Sequence, residues 1–141
     1  MRIRIINGPN LDILGKREPE MYGTMSLWDI ENRLKEKFPE VKLEFYQSNS
    51  EGPIIDAIHK GLDSATDGIV LNPGAFTHYS FAIRDAVAAL NIPVVELHLS
   101  NVHAREEFRR NSVIAPACTG VIAGFGVRGY ELAIEYILQQ K

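Results

Sequence analysis

Short apolar segments alternate with helix-like patterns along almost the whole of this 141-residue chain. The apolar segments lie at residues 3–6, 41–47, 68–71, 93–99 and 121–123, and each runs directly into Asn, Gly or Ser. Apolar residues recur at helical spacing over 27–37, from Ile54 to Leu62, from Ile83 to about Asn91, and from Leu132 to Ile137. Strands that alternate with helices pair in parallel, so we expect an α/β sheet with helices on both faces.

Five strands in this arrangement favour a flavodoxin-like, five-stranded parallel sheet in the order 2-1-3-4-5. The chain length fits one domain over residues 1–141. Ser26 and Asp29 form a predicted capping box at the start of the first long helix, and Pro39 follows its end. The second helix is expected to be entered through Pro53.

The composition argues against several kinds of partner. A net charge of −3 provides no basic surface for nucleic acid and no polybasic segment for a membrane. No apolar run approaches the roughly 20 residues needed to cross a bilayer. The first residues are too few and too charged for the apolar core of a signal peptide. Cys118 is the one cysteine, so no internal disulfide is possible and a cytoplasmic location is expected.

The turns that follow the five predicted strands are rich in neutral hydrogen-bonding side chains. Ligands of open α/β sheets bind beyond the carboxyl ends of the strands, where these turns meet. Amide, hydroxyl and imidazole groups suit a polyhydroxylated ligand better than a bare anion. The alternative is that Asn, Ser and Gly simply form turns. The turns in question are 7–10, 47–49, 72–74, 98–101 and 124–126.

The connection from Leu11 to Met25 is unusually long for a link between a strand and a helix. We interpret residues 11–25 as a flap over the strand ends, with Gly15 and Gly23 as hinges. Tyr22 is a candidate base if a cation such as Arg17 stabilises its ionised form. The alternative is a solvated charged loop with an anchoring tyrosine.

Glu96 and His98 are two residues apart on a predicted strand, so their side chains point to the same face. A carboxylate beside an imidazole orients the ring and stabilises its protonated form, as a general acid requires. A structural ion pair is the alternative. His78 follows the third turn and faces the same edge, although a capping or core histidine is also common there.

The run from His103 to Arg110 contains three arginines. It is able to bring an arginine to a carboxylate or hydroxyl of a ligand, but a solvated charged helix is the more common meaning of such a run. No nucleotide-binding glycine motif is present, and the four histidines lack a zinc-binding spacing. A nucleotide cofactor is therefore unsupported, and a metal site is not expected.

Taken together, the turns resemble those of the type II 3-dehydroquinate dehydratases. The similarity extends in order from one end of the chain to the other, and the set is specific although each motif alone is weak. Phe76 and Tyr79 depart from it, because the family commonly has tyrosine and threonine there, and Asp12 replaces a frequent asparagine. The matching segments are 7–11, 17–19 with 22–23, 72–75 with 77–78, 84–86, 96–101, 105–109, and 124–126 with 129–130.

The resemblance implies an anti elimination of water from 3-dehydroquinate through an enolate, which gives 3-dehydroshikimate. Tyr22 would remove a proton alpha to the ketone, and Arg17 would stabilise the tyrosinate. A water held by Asn10 would stabilise the enolate. His98, oriented by Glu96, would protonate the departing hydroxyl.

The resemblance also implies the substrate contacts and the assembly. Asn72 and the backbone N–H groups of Leu99 and Ser100 would bind the substrate, the latter two around its carboxylate. His78 and Arg109 would contact the ring hydroxyls. Asp85 would reach the site of a neighbouring subunit in a homododecamer, a tetramer of trimers. No metal or organic cofactor is implied.

Three other classes of protein fit parts of the pattern. A flavodoxin-like electron carrier needs a hydroxyl-rich loop after the first strand, where Asn7-Gly8-Pro9-Asn10 stands. A receiver domain needs an aspartate at the end of the third strand, where Asn72 stands. A sensor that has lost catalysis is disfavoured, because Arg17, Tyr22 and His98 are all present.

Overall fold

A computed structural model of the chain describes residues 1–140. Its sheet has five strands, in the order β2-β1-β3-β4-β5, and all neighbouring strands are parallel. The predicted flavodoxin-like topology is therefore confirmed. The strands are β1 (Arg2–Asn7), β2 (Lys42–Gln47), β3 (Gly68–Asn72), β4 (Val94–His98) and β5 (Gly120–Ala123).

Helices cover both faces of the sheet, as predicted. Helices α2 and α5 bury Leu34 and Ile137 on one face, against Ile3 of β1. Helices α3 and α4 bury Ile58 and Ile83 on the other face. None of the helices within residues 1–140 has the length and apolar character needed to span a membrane. The helices are α1 (Pro19–Tyr22), α2 (Leu27–Lys37), α3 (Glu51–His59), α4 (Phe81–Ala88) and α5 (Arg128–Leu138).

The observed helix boundaries match the predicted ones where a capping motif marks them. They differ where the prediction depended on apolar spacing alone. The Ser26–Asp29 capping box is present at the start of α2. Helix α4 ends at Ala88 rather than near Asn91. Leu90 and Ile92 pack against the core from non-helical backbone, so the apolar pattern continues past the helix end.

The first and third turns are joined at the carboxyl edge of the sheet. Asn7 of β1 lies opposite Asn72 of β3, and the N–H of Gly8 donates to the Asn72 carbonyl at 2.7 Å. A Cβ atom on Gly8 would lie 2.6 Å from the Pro73 carbonyl oxygen, so only glycine fits there. This close approach brings the two turns together beside the point where the strand order reverses, which is where such sheets bind ligands.

A buried carboxylate, Glu131 of α5, ties that helix to α2. It accepts hydrogen bonds from Arg33 at 2.8 Å and Lys37 at 2.9 Å, and its side chain is 2% exposed. Burial favours the neutral acid, but the hydrogen bonds and charges of Lys37 and Arg33 outweigh it, so the pKa of Glu131 is lowered. The ionised carboxylate therefore stabilises the packing of α2 against α5.

Glu131→Gln is expected to lower the free energy of unfolding at pH 7 by about 1–3 kcal/mol, since charge-assisted hydrogen bonds are lost. A lowered pKa stabilises the fold above the unfolded pKa, and the stabilisation is lost as pH falls through the folded pKa. The gap between variant and wild type should therefore shrink on acidification in urea titrations. Glu135→Gln, which alters an exposed pair with Lys37, should cost under about 1 kcal/mol. Equal costs for the two variants would contradict a special role for Glu131.

Candidate active site

A cavity of about 290 Å³ lies at the carboxyl edge of the sheet. Its walls come from the turns after β1, β3 and β4 and from the connection that precedes α2. Every predicted site residue lines it except Glu96 and Asp85. Those that do are Asn10, Arg17, Tyr22, Asn72, His78, His98, Leu99, Ser100 and Arg109, and Arg105 lines it as well.

The charge of the cavity wall is positive. Arg17, Arg105 and Arg109 line it together with His78 and His98, and no Asp or Glu of residues 1–140 does so. The sequence alone favoured a neutral, polyhydroxylated ligand over a bare anion. The three guanidinium groups make the cavity suited to a ligand that carries a carboxylate in addition to hydroxyls.

The connection between β1 and α2 is only partly a loop. Leu11 and Leu14 are buried in the core and hold its first part in place. The next part, residues 15–24, contains α1. Gly15 precedes this helix and Gly23 follows it, with φ values of +95° and +79°. Left-handed backbone of this kind favours glycine, so both predicted hinge positions have conformations suited to it. Movement of residues 11–25 as a flap stays a prediction.

Tyr22, at the end of α1, lies close to two arginines. The guanidinium carbon of Arg17 is 5.1 Å from the centre of the Tyr22 ring, and that of Arg105 is 5.5 Å from it. Arg105 also donates a hydrogen bond from Nη1 to the Tyr22 hydroxyl at 2.6 Å. The cation that contacts the tyrosine oxygen directly is therefore Arg105, while Arg17 lies beside the ring.

Arg105 is the charged residue of the cavity wall that the sequence did not single out. The run from 103 to 110 was most simply interpreted as a solvated helix, but the backbone forms two 3₁₀ turns, Val102–Ala104 and Glu107–Arg110, with Arg105 between them. The Arg105 side chain is 9% exposed and also contacts the Ser100 hydroxyl at 3.2 Å. The sequence carries no signal for this burial, because the run has no apolar periodicity from which a packed face could be predicted.

Glu96 and His98 form the predicted pair on β4. Nε2 of His98 lies 2.6 Å from Oε2 of Glu96, and Glu96 is fully buried beneath the cavity wall. A carboxylate is an acceptor, so Nε2 carries the proton of this hydrogen bond. Nδ1 of His98 has no protein partner among the hydrogen bonds of the described residues, and it is the ring nitrogen left for a ligand.

Asn10 adopts an uncommon backbone conformation at the cavity mouth. Its φ is +71°, in the left-handed region that asparagine tolerates better than most residues. Its N–H donates to Oδ1 of Asn49 at 3.0 Å, and Gln47 donates to the same oxygen at 3.1 Å. The turn after β2 therefore supports Asn10 without lining the cavity itself.

The remaining cavity residues are held by their neighbours. Oδ1 of Asn72 accepts the N–H of Gly74 at 3.2 Å. Nδ1 of His78 is 2.7 Å from the Asn111 carbonyl oxygen. Arg109 donates to Glu106 at 3.1 Å. These bonds fix the side chains in place, as binding residues require.

Several residues singled out by the sequence lie away from the cavity. Asp85 is exposed on α4 and does not line it. Phe76 and Tyr79 pack edge to face at 5.8 Å, outside the cavity lining. Burial raises the pKa of the Cys118 thiol to about 12, with a further contribution from Glu96, so Cys118 stays protonated. Among residues 1–140, no group of three or more His, Cys, Asp or Glu side chains is placed to hold a metal ion.

The fold and the cavity define a flavodoxin-like α/β protein with a positively charged cavity at the carboxyl edge of its sheet. The family Dehydroquinase class II matches residues 1–138. A 3-dehydroquinate dehydratase from Bacillus licheniformis is 60% identical over 139 residues, which cover 96% of this chain and 94% of that one. The type II dehydroquinase of Butyrivibrio crossotus superposes with a TM-score of 0.95 at 49% identity, covering 98% and 97% of the two chains.

A second relative supports the same assignment. The 3-dehydroquinate dehydratase of Bacillus subtilis is 56% identical over 140 residues, which cover 97% of this chain and 93% of that one. The chain therefore belongs to the class II dehydroquinase family, as the resemblance implied. The expectation of an enzyme, a hydro-lyase, is confirmed. This membership disfavours the electron-carrier and receiver-domain alternatives.

Proposed function

We propose that this protein converts 3-dehydroquinate into 3-dehydroshikimate by an anti elimination of water, without a metal or organic cofactor. The observation that carries the proposal is the pair of groups in one cavity. One is a tyrosine whose hydroxyl is hydrogen bonded to Arg105, and the other is a histidine hydrogen bonded to a buried Glu96. A polarised phenol and an oriented imidazole are the base and acid that a stepwise elimination needs.

Tyr22 is the proposed base. In its ionised form it takes a proton from the carbon alpha to the substrate ketone, and the electrons of that C–H bond form the enolate. Arg105 and Arg17 stabilise the tyrosinate, the first by its hydrogen bond and the second by its charge beside the ring. A water held by Asn10 stabilises the enolate oxygen.

His98 is the proposed acid. The enolate reforms the ketone as the carbon–carbon double bond forms and the β carbon–oxygen bond breaks. Nδ1 of His98 gives its proton to the departing hydroxyl, which leaves as water. Glu96 stabilises the imidazolium before this step because it accepts a hydrogen bond from Nε2.

The rest of the cavity binds the substrate in the proposed mechanism. Asn72 and the backbone N–H groups of Leu99 and Ser100 hold the substrate, the latter two at its carboxylate, and His78 and Arg109 contact its ring hydroxyls. The positive cavity wall supports the binding of an anion. Within the predicted flap of residues 11–25, the part from residue 15 to 24 closes over the substrate, which brings Tyr22 to it and excludes water, while buried Leu11 and Leu14 anchor the first part.

Ultraviolet absorbance of the conjugated enone product tests the activity. Purified protein mixed with 3-dehydroquinate should give a steady rise that a chelator does not change. If folded protein gave no rise in absorbance, the proposed activity would be wrong. A sensor that has kept the cavity and lost catalysis would then be favoured. Binding of 3-dehydroquinate, measured by calorimetry, would then identify that sensor.

Arg17 and Arg105 are expected to act mainly on kcat. Arg17→Ala and Arg105→Met should each lower kcat at least about 10-fold, with a smaller change in KM, because both stabilise an ion that forms for catalysis. Lys16→Ala is the matched control, since Lys16 is exposed beside Arg17 and does not line the cavity. A raised KM at unchanged kcat would make either arginine a plain binding residue.

Assembly into a homododecamer is also part of the proposal. Asp85 is exposed and lies outside its own cavity, which supports a role in the site of a neighbouring subunit. Sedimentation equilibrium should give the mass of twelve chains, and a monomer with full activity would contradict the shared site. The free thiol of Cys118 supports the expected cytoplasmic location.

A further inference from the structure

The buried carboxylate of Glu96 has more partners than the histidine it orients. Thr77 donates from its hydroxyl to Oε2 at 2.8 Å, and Ser112 donates from its hydroxyl to Oε1 at 2.9 Å. His98 shares Oε2 with Thr77. Each oxygen of this fully buried carboxylate therefore has a hydroxyl partner in addition to His98.

The backbone makes the Ser112 hydroxyl a donor on its free side. Its oxygen accepts the N–H groups of Ile114 at 3.2 Å and Ala115 at 2.9 Å, which occupy its lone pairs. Its own proton is therefore directed away from them, towards the side where Oε1 of Glu96 and the Thr77 hydroxyl lie. The hydroxyl oxygens of Ser112 and Thr77 lie 2.6 Å apart.

The two hydroxyls come from separate segments that the backbone joins. Thr77 lies in the 3₁₀ turn Gly74–His78 after β3 and is 1% exposed. Ser112 lies in the irregular segment between β4 and β5. The N–H of Val113 donates to the Thr77 carbonyl at 2.8 Å, which holds the two side chains on the same carboxylate.

We propose that Thr77 and Ser112 are positioning residues that keep Glu96 ionised and thereby keep the shared proton on Nε2 of His98. A buried carboxylate without donors is easier to protonate, because burial disfavours its charge. A protonated Glu96 would donate to Nε2 instead of accepting from it, and the neutral imidazole would then carry its proton on Nδ1. The two hydroxyls thus fix which nitrogen of the neutral His98 ring carries the proton and keep a negative charge beside the imidazolium, an inference that rests on the proposed role of His98 as the acid.

Kinetics of matched variants test the proposal. Thr77→Val and Ser112→Ala should each lower kcat about 10-fold, with KM changed by less than about twofold, because a hydrogen bond to a charged group is lost. On the acidic side of the pH profile (its acid limb), the fall in kcat should begin at a higher pH in both variants. Thr77→Ser and Ser112→Thr keep the hydroxyl and should restore the wild-type limb. Thr77→Val leaves the Ser112 backbone contacts in place, so it separates positioning from any loosening of the loop.

Nitrogen NMR of protein labelled with ¹⁵N-histidine gives a readout that needs no substrate. The His98 signals are identified by their loss in His98→Asn. In the neutral ring, the wild-type protein should carry its proton on Nε2, and the double variant Thr77→Val/Ser112→Ala should shift the tautomer towards Nδ1. An unchanged tautomer together with an unmoved acid limb would overturn the proposal. Inactive wild-type protein with the expected tautomer shift would remove the proposed function but support the positioning role.

Discussion

Tyr22→Phe is expected to lower kcat by about 10²–10⁴-fold, the contribution typical of a positioned acid or base. The substitution removes only the oxygen that accepts the proton and the hydrogen bond from Arg105. Phenylalanine keeps the ring beside the two guanidinium groups, so KM should change little. Initial rates from the enone absorbance measure the effect.

Tyr79→Phe is the matched control for that experiment. Tyr79 is exposed, lies outside the cavity lining, and loses the same single oxygen. Its kcat should equal that of the wild type, and the melting temperatures of both variants should stay within a few degrees of the wild-type value. If Tyr22→Phe kept a near-normal kcat, Tyr22 would not be the base.

His98→Asn is expected to lower kcat by a similar factor, about 10²–10⁴-fold, because asparagine has no proton to give the departing hydroxyl. The two steps of the reaction separate in this variant. In deuterium oxide, His98→Asn should still exchange the alpha hydrogen of 3-dehydroquinate above the uncatalysed rate, because Tyr22 is intact. Tyr22→Phe should lose both exchange and elimination.

His103→Asn controls for the loss of an imidazole near the site. His103 is exposed and does not line the active-site cavity, so kcat should be unchanged. Equal losses in His98→Asn and His103→Asn would point to general destabilisation rather than to a missing acid. Unchanged kcat in His98→Asn would assign the acid to another group.

The sequence predicted the sheet because its three central strands, β1, β3 and β4, are buried and bounded by turn residues. The order was predicted from the arrangement typical of five-stranded sheets of this kind. The run 68–71 is apolar throughout and stops at Asn72-Pro73-Gly74, which leaves little ambiguity. It also predicted which turns meet, since the carboxyl ends of parallel strands share an edge. Asn10, Asn72 and His98 were placed near one another on that argument alone, and the cavity lining includes all three.

The segment between β4 and β5 was not predictable in the same way. Its 3₁₀ turns have no apolar periodicity, so nothing in the sequence indicates that Arg105 is buried or that Ser112 lies under Glu96. Those contacts depend on the path of the loop, which tertiary hydrogen bonds such as Val113 to Thr77 determine. The end of α4 was misjudged for a related reason, since Leu90 is apolar for packing rather than for helix formation.

The direction of elimination is the most direct test of the mechanism. The alpha carbon of 3-dehydroquinate carries one hydrogen on each face of the ring, and each is replaced by deuterium in turn. Mass spectrometry of the product shows which label is lost. The mechanism predicts loss of the deuterium on the face opposite the departing hydroxyl, since Tyr22 and His98 act from opposite sides. Loss of the deuterium on the same face as the hydroxyl would contradict it.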